Sequence, residues 1–224
     1  MSPIAPRSKR RVFLVDDHPL VREWLTNLIN QQPDLMVCGE CDNAPQALRI
    51  MNENPPDIAI VDISLKDSSG GELIKSLKES NPAVAILVLS MHDETLHAER
   101  LLRAGARGYI MKRETTRKVI DAIRQVLDGK LYVTDSMAQA ITRQFVSGKT
   151  TDGASPVKQL SDRELEVFEM LGRGLGTRQI AETLRVSVKT VQAYCARAKE
   201  KLNLNSATEL LREAIRWHDS RHSS

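Results

Sequence analysis

Ile58 to Leu65 reads Ile-Ala-Ile-Val-Asp-Ile-Ser-Leu, an apolar run that leads straight into a carboxylate, Asp62. A strand apolar on both faces must be covered on both, which places it in the middle of a parallel sheet. Parallel neighbours need crossover segments, so the flanking chain has to alternate strands with helices. Arg11–Val15, Met36–Glu40, the Ile58 strand, Val84–Ser90 and Gly108–Met111 are short apolar runs. After them come Asp17–Asn30, Asn43–Asn54, Ser69–Ser80, His92–Ala104 and Glu114–Asp128, with apolar residues at helical spacing such as Leu20, Trp24 and Leu28. Five strand–helix repeats with right-handed crossovers predict a doubly wound, flavodoxin-like α/β domain with strand order 2-1-3-4-5.

In that order the ends of the first, third, fourth and fifth strands converge at the carboxyl edge, where open α/β folds keep their sites. They deliver Asp16 and Asp17, Asp62, Ser90 and Lys112. Three clustered carboxylates repel one another unless one takes a proton or a cation intervenes. Mg²⁺ suits such a set because it is hard and takes oxygen ligands; the backbone carbonyl of Ser64 is a further candidate. With Lys112 as a fixed positive charge, this is a site for a carboxylate, Asp62, that accepts a phosphoryl group, and Ser90 is placed to hydrogen-bond that group. Plainer roles compete: Asp16 or Asp17 as a helix cap, Ser90 as strand-end polarity, Tyr109 as packing on a short strand. His18 reads as a surface residue, and His92 and His97, five apart, do not share a helix face. Cys38 and Cys41 form a C-x-x-C, but residues three apart on a strand point to opposite faces, so packing is expected rather than metal or redox chemistry.

The formal charge of +3 conceals a split. Residues 11–130 carry 15 basic and 18 acidic side chains, whereas residues 172–203 carry 7 basic and 2 acidic. An acidic first domain and a basic patch in the second suit metal and phosphate chemistry in one and nucleic acid in the other. Residues 131–159 are expected to be a connection, with a helix over Asp135–Val146 and a Ser-, Gly- and Thr-rich linker over Ser147–Pro156. Residues 160–220 then predict an all-helical domain with four helices, at Asp162–Arg173, Thr177–Leu184, Val188–Leu202 and Ser206–Trp217. Ser161 and Glu164 form a capping box. The second and third helices, separated by Arg185-Val-Ser187, have helix-turn-helix spacing. On composition alone, a helical bundle with a solvated basic face fits equally well. No apolar run reaches the ~18 residues of a membrane span, the N-terminus lacks a signal-peptide core, and a cytoplasmic protein is expected.

Asp16-Asp17, Val61-Asp62, Leu89-Ser90 and Gly108-Tyr-Ile-Met-Lys112 together resemble the receiver domain of two-component response regulators, over residues 10–130. The resemblance implies that Asp62 is the phosphoacceptor and that Asp16, Asp17, Asp62 and Ser64 hold Mg²⁺. It makes Ser90 the switch hydroxyl, Tyr109 a rotating aromatic and Lys112 the phosphoryl-binding lysine. Lys66 departs from the Met-Pro of many relatives, while Gly70 keeps the loop glycine. Leu160-Ser-x-Arg-Glu164, Gly174-Leu175, Gln179-Ile-Ala181, Val186-Ser187, Lys189-Thr-Val191 and Lys201-Leu202 resemble the LuxR/NarL/FixJ-type DNA-binding domain. That implies a reading helix from Val188, with Ser187, Lys189, Thr190, Gln192, Ala193, Ala196, Arg197 and Lys201 at the DNA. Leu210, Leu211, Ala214 and Ile215 would bring two copies together. Gln192 and Tyr194 depart from the usual lysine or glutamate and histidine.

The expectation is a non-enzymatic, phosphorylation-dependent transcription regulator. It would be served by a sensor histidine kinase and bind double-stranded DNA as a homodimer. Two alternatives stay open: a phosphatase built on the same acid cluster, and a helical domain that docks on protein.

Overall fold

The computed structural model describes residues 8–63, 65, 70–90, 100–114, 116–134, 138, 156–184 and 186–222. The chain divides into two compact units, residues 1–150 and 151–224. In the first, β1 (Arg10–Val15), β2 (Leu35–Cys41), β3 (Ile58–Asp62), β4 (Ala85–Ser90) and β5 (Gly108–Met111) form a parallel sheet in the order β2-β1-β3-β4-β5. β3 is buried along its whole length, as its apolar run requires. One sheet face, with Phe13, Val15, Val61 and Val88, packs on α2 (Ala44–Glu53) and α3 (Gly70–Ser80) through Ala47, Met51, Ile74 and Leu77. The other face, with Leu14, Ile60, Leu89 and Ile110, packs on α1 (Pro19–Asn30) and α4 (Thr116–Leu127) through Leu25, Ile29, Val119 and Ile123. Residues 100–103 are also helical. The expected helix over Asp135–Val146 and the linker after it lie outside the described residues, apart from Ala138 and Pro156.

Two local features differ from expectation, each for a physical reason. Helix α1 starts at Pro19 rather than Asp17, with His18 extended at φ −95° and ψ 107°; the ring of a proline pushes the residue before it out of helical space. In β2 the pairing with β1 skips Cys38, so that Val12 faces Val37 and Phe13 faces Gly39. This bulge reverses the alternation, and Cys38 and Cys41 pack against the same face rather than opposite ones. Both are free; burial pushes the Cys41 thiol up to about 11 and raises that of Cys38, which keeps them protonated and poor ligands. The chain after α4 also stays on the sheet beyond residue 130, where Tyr132 bridges to Gly108 and its carbonyl accepts the Tyr109 N–H at 2.9 Å.

The second unit opens with a 3₁₀ turn at Pro156–Gln159, followed by α5 (Asp162–Gly172), α6 (Thr177–Leu184), α7 (Val188–Lys201) and α8 (Ala207–His222). The capping box forms: Ser161 Oγ accepts from the Glu164 N–H, and Glu164 Oε2 accepts from the Ser161 N–H at 2.8 Å. Phe168, Ile180, Val191 and Ala198 are buried. Trp217 sits 5.7 Å from the Phe168 ring and does not end α8, which runs on to His222. Among the described residues no helix is long and apolar enough to cross a membrane.

Candidate functional site

Asp16 directly follows β1, Asp62 ends β3, Ser90 ends β4, and Lys112 directly follows β5. Pairing of Val15 with Val61 sets the first two acids side by side at one level of the sheet. The Lys112 N–H donates to the Ser90 carbonyl at 2.7 Å, which carries the lysine from the edge strand toward the acids. Its ammonium lies 2.8 Å from Asp62 Oδ2 and 2.7 Å from Asp16 Oδ2, with only 5% of the side chain exposed. Gly70 is required where α3 begins: a Cβ there would meet the Asp62 carbonyl oxygen at 2.5 Å. Ser90 and Tyr109 are both buried, Tyr109 within the core under α2 and α3. Ser64 lies outside the described residues, as do Lys66, His92 and His97.

His18, expected at the surface, is partly exposed and also touches all three acids. Its Nδ1 lies 2.7 Å from Asp17 Oδ1, 3.2 Å from Asp16 Oδ1 and 3.9 Å from Asp62 Oδ2. The backbone explains the placement: the His18 N–H donates to Asp16 Oδ1 at 2.9 Å, turning the chain back over the acids. Arg22 was also missed. Its Nη1 donates to the Asp16 carbonyl at 2.5 Å and its Nε lies 3.5 Å from Glu40, fixing the turn against β2. Nothing in local spacing signals that contact.

The electrostatics leave the pocket short of positive charge. Burial and the neighbouring Asp62 push the Asp16 carboxyl above its ordinary value, and Lys112 offsets only part of this. For Lys112, burial opposes the charge, but Asp62 and Asp16 outweigh it and hold the ammonium above its ordinary range. Ligand atoms of Asp16, Asp17, His18 and Asp62 all lie within 4.8 Å of one another. Asp16 Oδ2 and Asp17 Oδ1 are buried without a well-formed hydrogen bond, although each touches a nitrogen of Lys112 or His18. Clustered carboxylate oxygens with unmet hydrogen bonding fit a divalent cation.

In the second unit, Lys189, Gln192, Ala193, Ala196 and Arg197 form one exposed face of α7, while Val191 and Ala198 are buried. Ser187 caps the helix: its Oγ accepts from the Thr190 N–H at 3.0 Å and lies 2.8 Å from Thr190 Oγ1. Lys201, expected at the DNA, lies at the end of α7 with about a third of its side chain exposed. Its ammonium donates to Glu164 Oε2 at 2.7 Å, and Arg197 Nε lies 3.3 Å from Glu164 Oε1. The Arg197 guanidinium also lies over the Tyr194 ring at 4.9 Å. Burial would raise the Glu164 carboxyl, but hydrogen bonds from Lys201 and Ser161 hold it below its ordinary range. The four residues expected to dimerise are split: Leu210 and Ala214 are buried in the domain, and only Leu211 (39% exposed) and Ile215 (40% exposed) face outward. A helix stripe four residues wide spans two directions, and α5 takes the inner one, where the Ala214 backbone approaches Gly172.

Residues 12–124 match the response regulator receiver domain, and residues 158–214 match the luxR family of bacterial regulatory proteins. The oxygen regulatory protein NreC of Staphylococcus epidermidis is 35% identical over 211 residues, covering 92% of this chain and 97% of that protein. The chain belongs to the response regulator family. It joins a receiver domain to a LuxR-type DNA-binding domain. A LuxR-family two-component response regulator from Aurantimonas sp. SI85-9A1 is 34% identical with a TM-score of 0.58, covering 62% of this regulator and 99% of its own chain. RcsB from Salmonella enterica serovar Typhimurium, solved on promoter DNA with a phosphoryl mimic, is 24% identical with a TM-score of 0.56, over 92% of this regulator and 98% of RcsB; it shares the fold.

Proposed function

We propose that Asp62 accepts a phosphoryl group from the phosphohistidine of a sensor kinase in the cytoplasm, and that this acceptance controls DNA binding through α7. The observation that carries the reading is the buried Asp62 carboxylate beside Asp16, with a single lysine between them. An Asp62 oxygen attacks phosphorus, the N–P bond of the donor breaks, and the histidine keeps the electron pair. Asp16, Asp17 and Asp62, with the Ser64 carbonyl, are the residues that would hold Mg²⁺, which when bound neutralises phosphoryl oxygens. Lys112 would move its ion pair from Asp62 onto the new phosphoryl group, which brings more negative charge and more acceptor oxygens. Ser90 would hydrogen-bond that group, and Tyr109 would repack beside it. The chemistry ends with acceptance and self-dephosphorylation, so the chain is a switch and not an enzyme acting on external substrates.

In the second domain, the exposed face of α7 would enter the major groove, with Gln192 and Ala193 toward base edges and Lys189 at phosphate. Leu211 and Ile215 would form the contact between two copies. Footprinting on genomic fragments, with and without acetyl phosphate, tests the whole reading. Phosphodonor-dependent protection of inverted half-sites about one helical turn apart is expected. Protection that ignores the phosphodonor, or a single unrepeated half-site, would contradict it.

A further inference from the structure

We infer that Glu164 is a positioning residue for DNA reading, which takes Lys201 out of phosphate contact and fixes Arg197 at the reading face. The inference rests on α7 being the DNA-reading helix. Glu164 lies 37 residues from Lys201 in sequence, yet it is buried and receives the Lys201 ammonium at 2.7 Å, Arg197 Nε at 3.3 Å and the Ser161 N–H at 2.8 Å. A buried carboxylate with those partners is neutralised locally, so Lys201 has no free charge to give to a phosphate. Arg197 approaches Glu164 through Nε and stacks on Tyr194, while its half-exposed side chain stays open to a ligand. An arginine held by a carboxylate and an aromatic face presents its fork in one orientation. The face therefore offers fewer cations than its sequence suggests, and better oriented ones. That favours specific over random DNA, because backbone charge drives random binding.

The test uses the full chain and a short random-sequence duplex, with affinity measured across a salt series. Glu164→Gln keeps an oxygen for the Ser161 N–H but removes the charge. It is expected to raise random-duplex affinity and to steepen the salt slope by about one unit, since the freed Lys201 adds one phosphate contact and each contributes about 0.9. A merely structural role would weaken binding without steepening the slope. An unchanged or shallower slope, with thermal melting preserved, would overturn the inference. If Glu164→Gln does not fold, Lys201→Gln decides: an unchanged slope supports the clamp, and a slope shallower by about one unit overturns it. Absence of salt-dependent duplex binding by the wild type would instead sink the DNA-reading role itself, and this inference with it.

Discussion

At the carboxyl edge of the receiver sheet, Asp16 and Asp62 share one buried lysine, whereas in the DNA-binding domain Glu164 alone draws on Lys201, Arg197 and the Ser161 N–H. Both are buried acids with a lysine at 2.7–2.8 Å. Their charge balance is opposite. The Asp16 carboxyl is held above its ordinary value and the Glu164 carboxyl below its own. A site short of positive charge suits a cation, and under the proposed function it would exchange ion pairs when a phosphoryl group arrives. A site with more donors than it needs holds its geometry. Under the proposed function, the difference would separate a reactive carboxylate from a structural one more clearly than burial does, because burial is common to both.

Removing the lysine from each site should give the widest contrast. Lys112→Ala leaves two buried carboxylates without their cation and should cost about 3–5 kcal/mol of receiver stability in metal-free buffer. Much of that loss should return with excess Mg²⁺, by mass action on the folded state. Lys201→Gln removes one of two cations from the buried Glu164, leaving Arg197 and the Ser161 N–H as partners, and should cost less, about 1–2 kcal/mol. Urea unfolding of both variants, with and without Mg²⁺, makes the measurement; equal costs would erase the contrast.

A smaller effect is expected on the DNA face. Gln192→Ala should lose about 1–3 kcal/mol at the preferred site and little on random duplex, because a glutamine can pair bidentately with adenine. Lys189→Ala should weaken both alike and lower the salt slope by about one unit. Equal loss on both duplexes for Gln192→Ala would move base reading elsewhere on α7.

The sheet order was legible in the sequence, as was the gathering of Asp16, Asp62, Ser90 and Lys112 at one edge of it, because both follow from periodicity. Apolar runs mark buried strands, and in a doubly wound sheet the residue after each run lands at one edge. Contacts between distant residues were not legible. Glu164 is fully explained by its capping box, so nothing in its neighbourhood announces Lys201 and Arg197. Leu210 and Leu211 are equally apolar, and only the packing of α8 on α5 decides which one faces inward. Cys38 sits on a bulge that alternation cannot foresee, and His18 is drawn to the acids by a backbone turn set by Asp16.

Acid titration should show the subtlest difference. The raised Asp16 value means that its neutral form is favoured by folding. This contribution is full below the ordinary aspartate value of 3.8 and is lost as pH rises through the higher folded value. The lowered Glu164 value has the reverse sign: its contribution is full above the ordinary glutamate value of 4.5 and is lost as pH falls through the lower folded value. Carboxyl carbon NMR on the metal-free chain should place Asp16 above 3.8 and Glu164 below 4.5. Shifts of the same sign would remove the contrast.

Phosphoryl uptake tests the reactive site most directly. Purified chain incubated with acetyl phosphate and Mg²⁺ should gain one phosphoryl group by intact mass spectrometry, and none when the metal is chelated. Glu164→Gln should gain the same group, while Asp62→Asn should gain none. Undiminished labelling of Asp62→Asn, or labelling that persists under chelation, would contradict the assignment of Asp62 as the acceptor in a cation-dependent site.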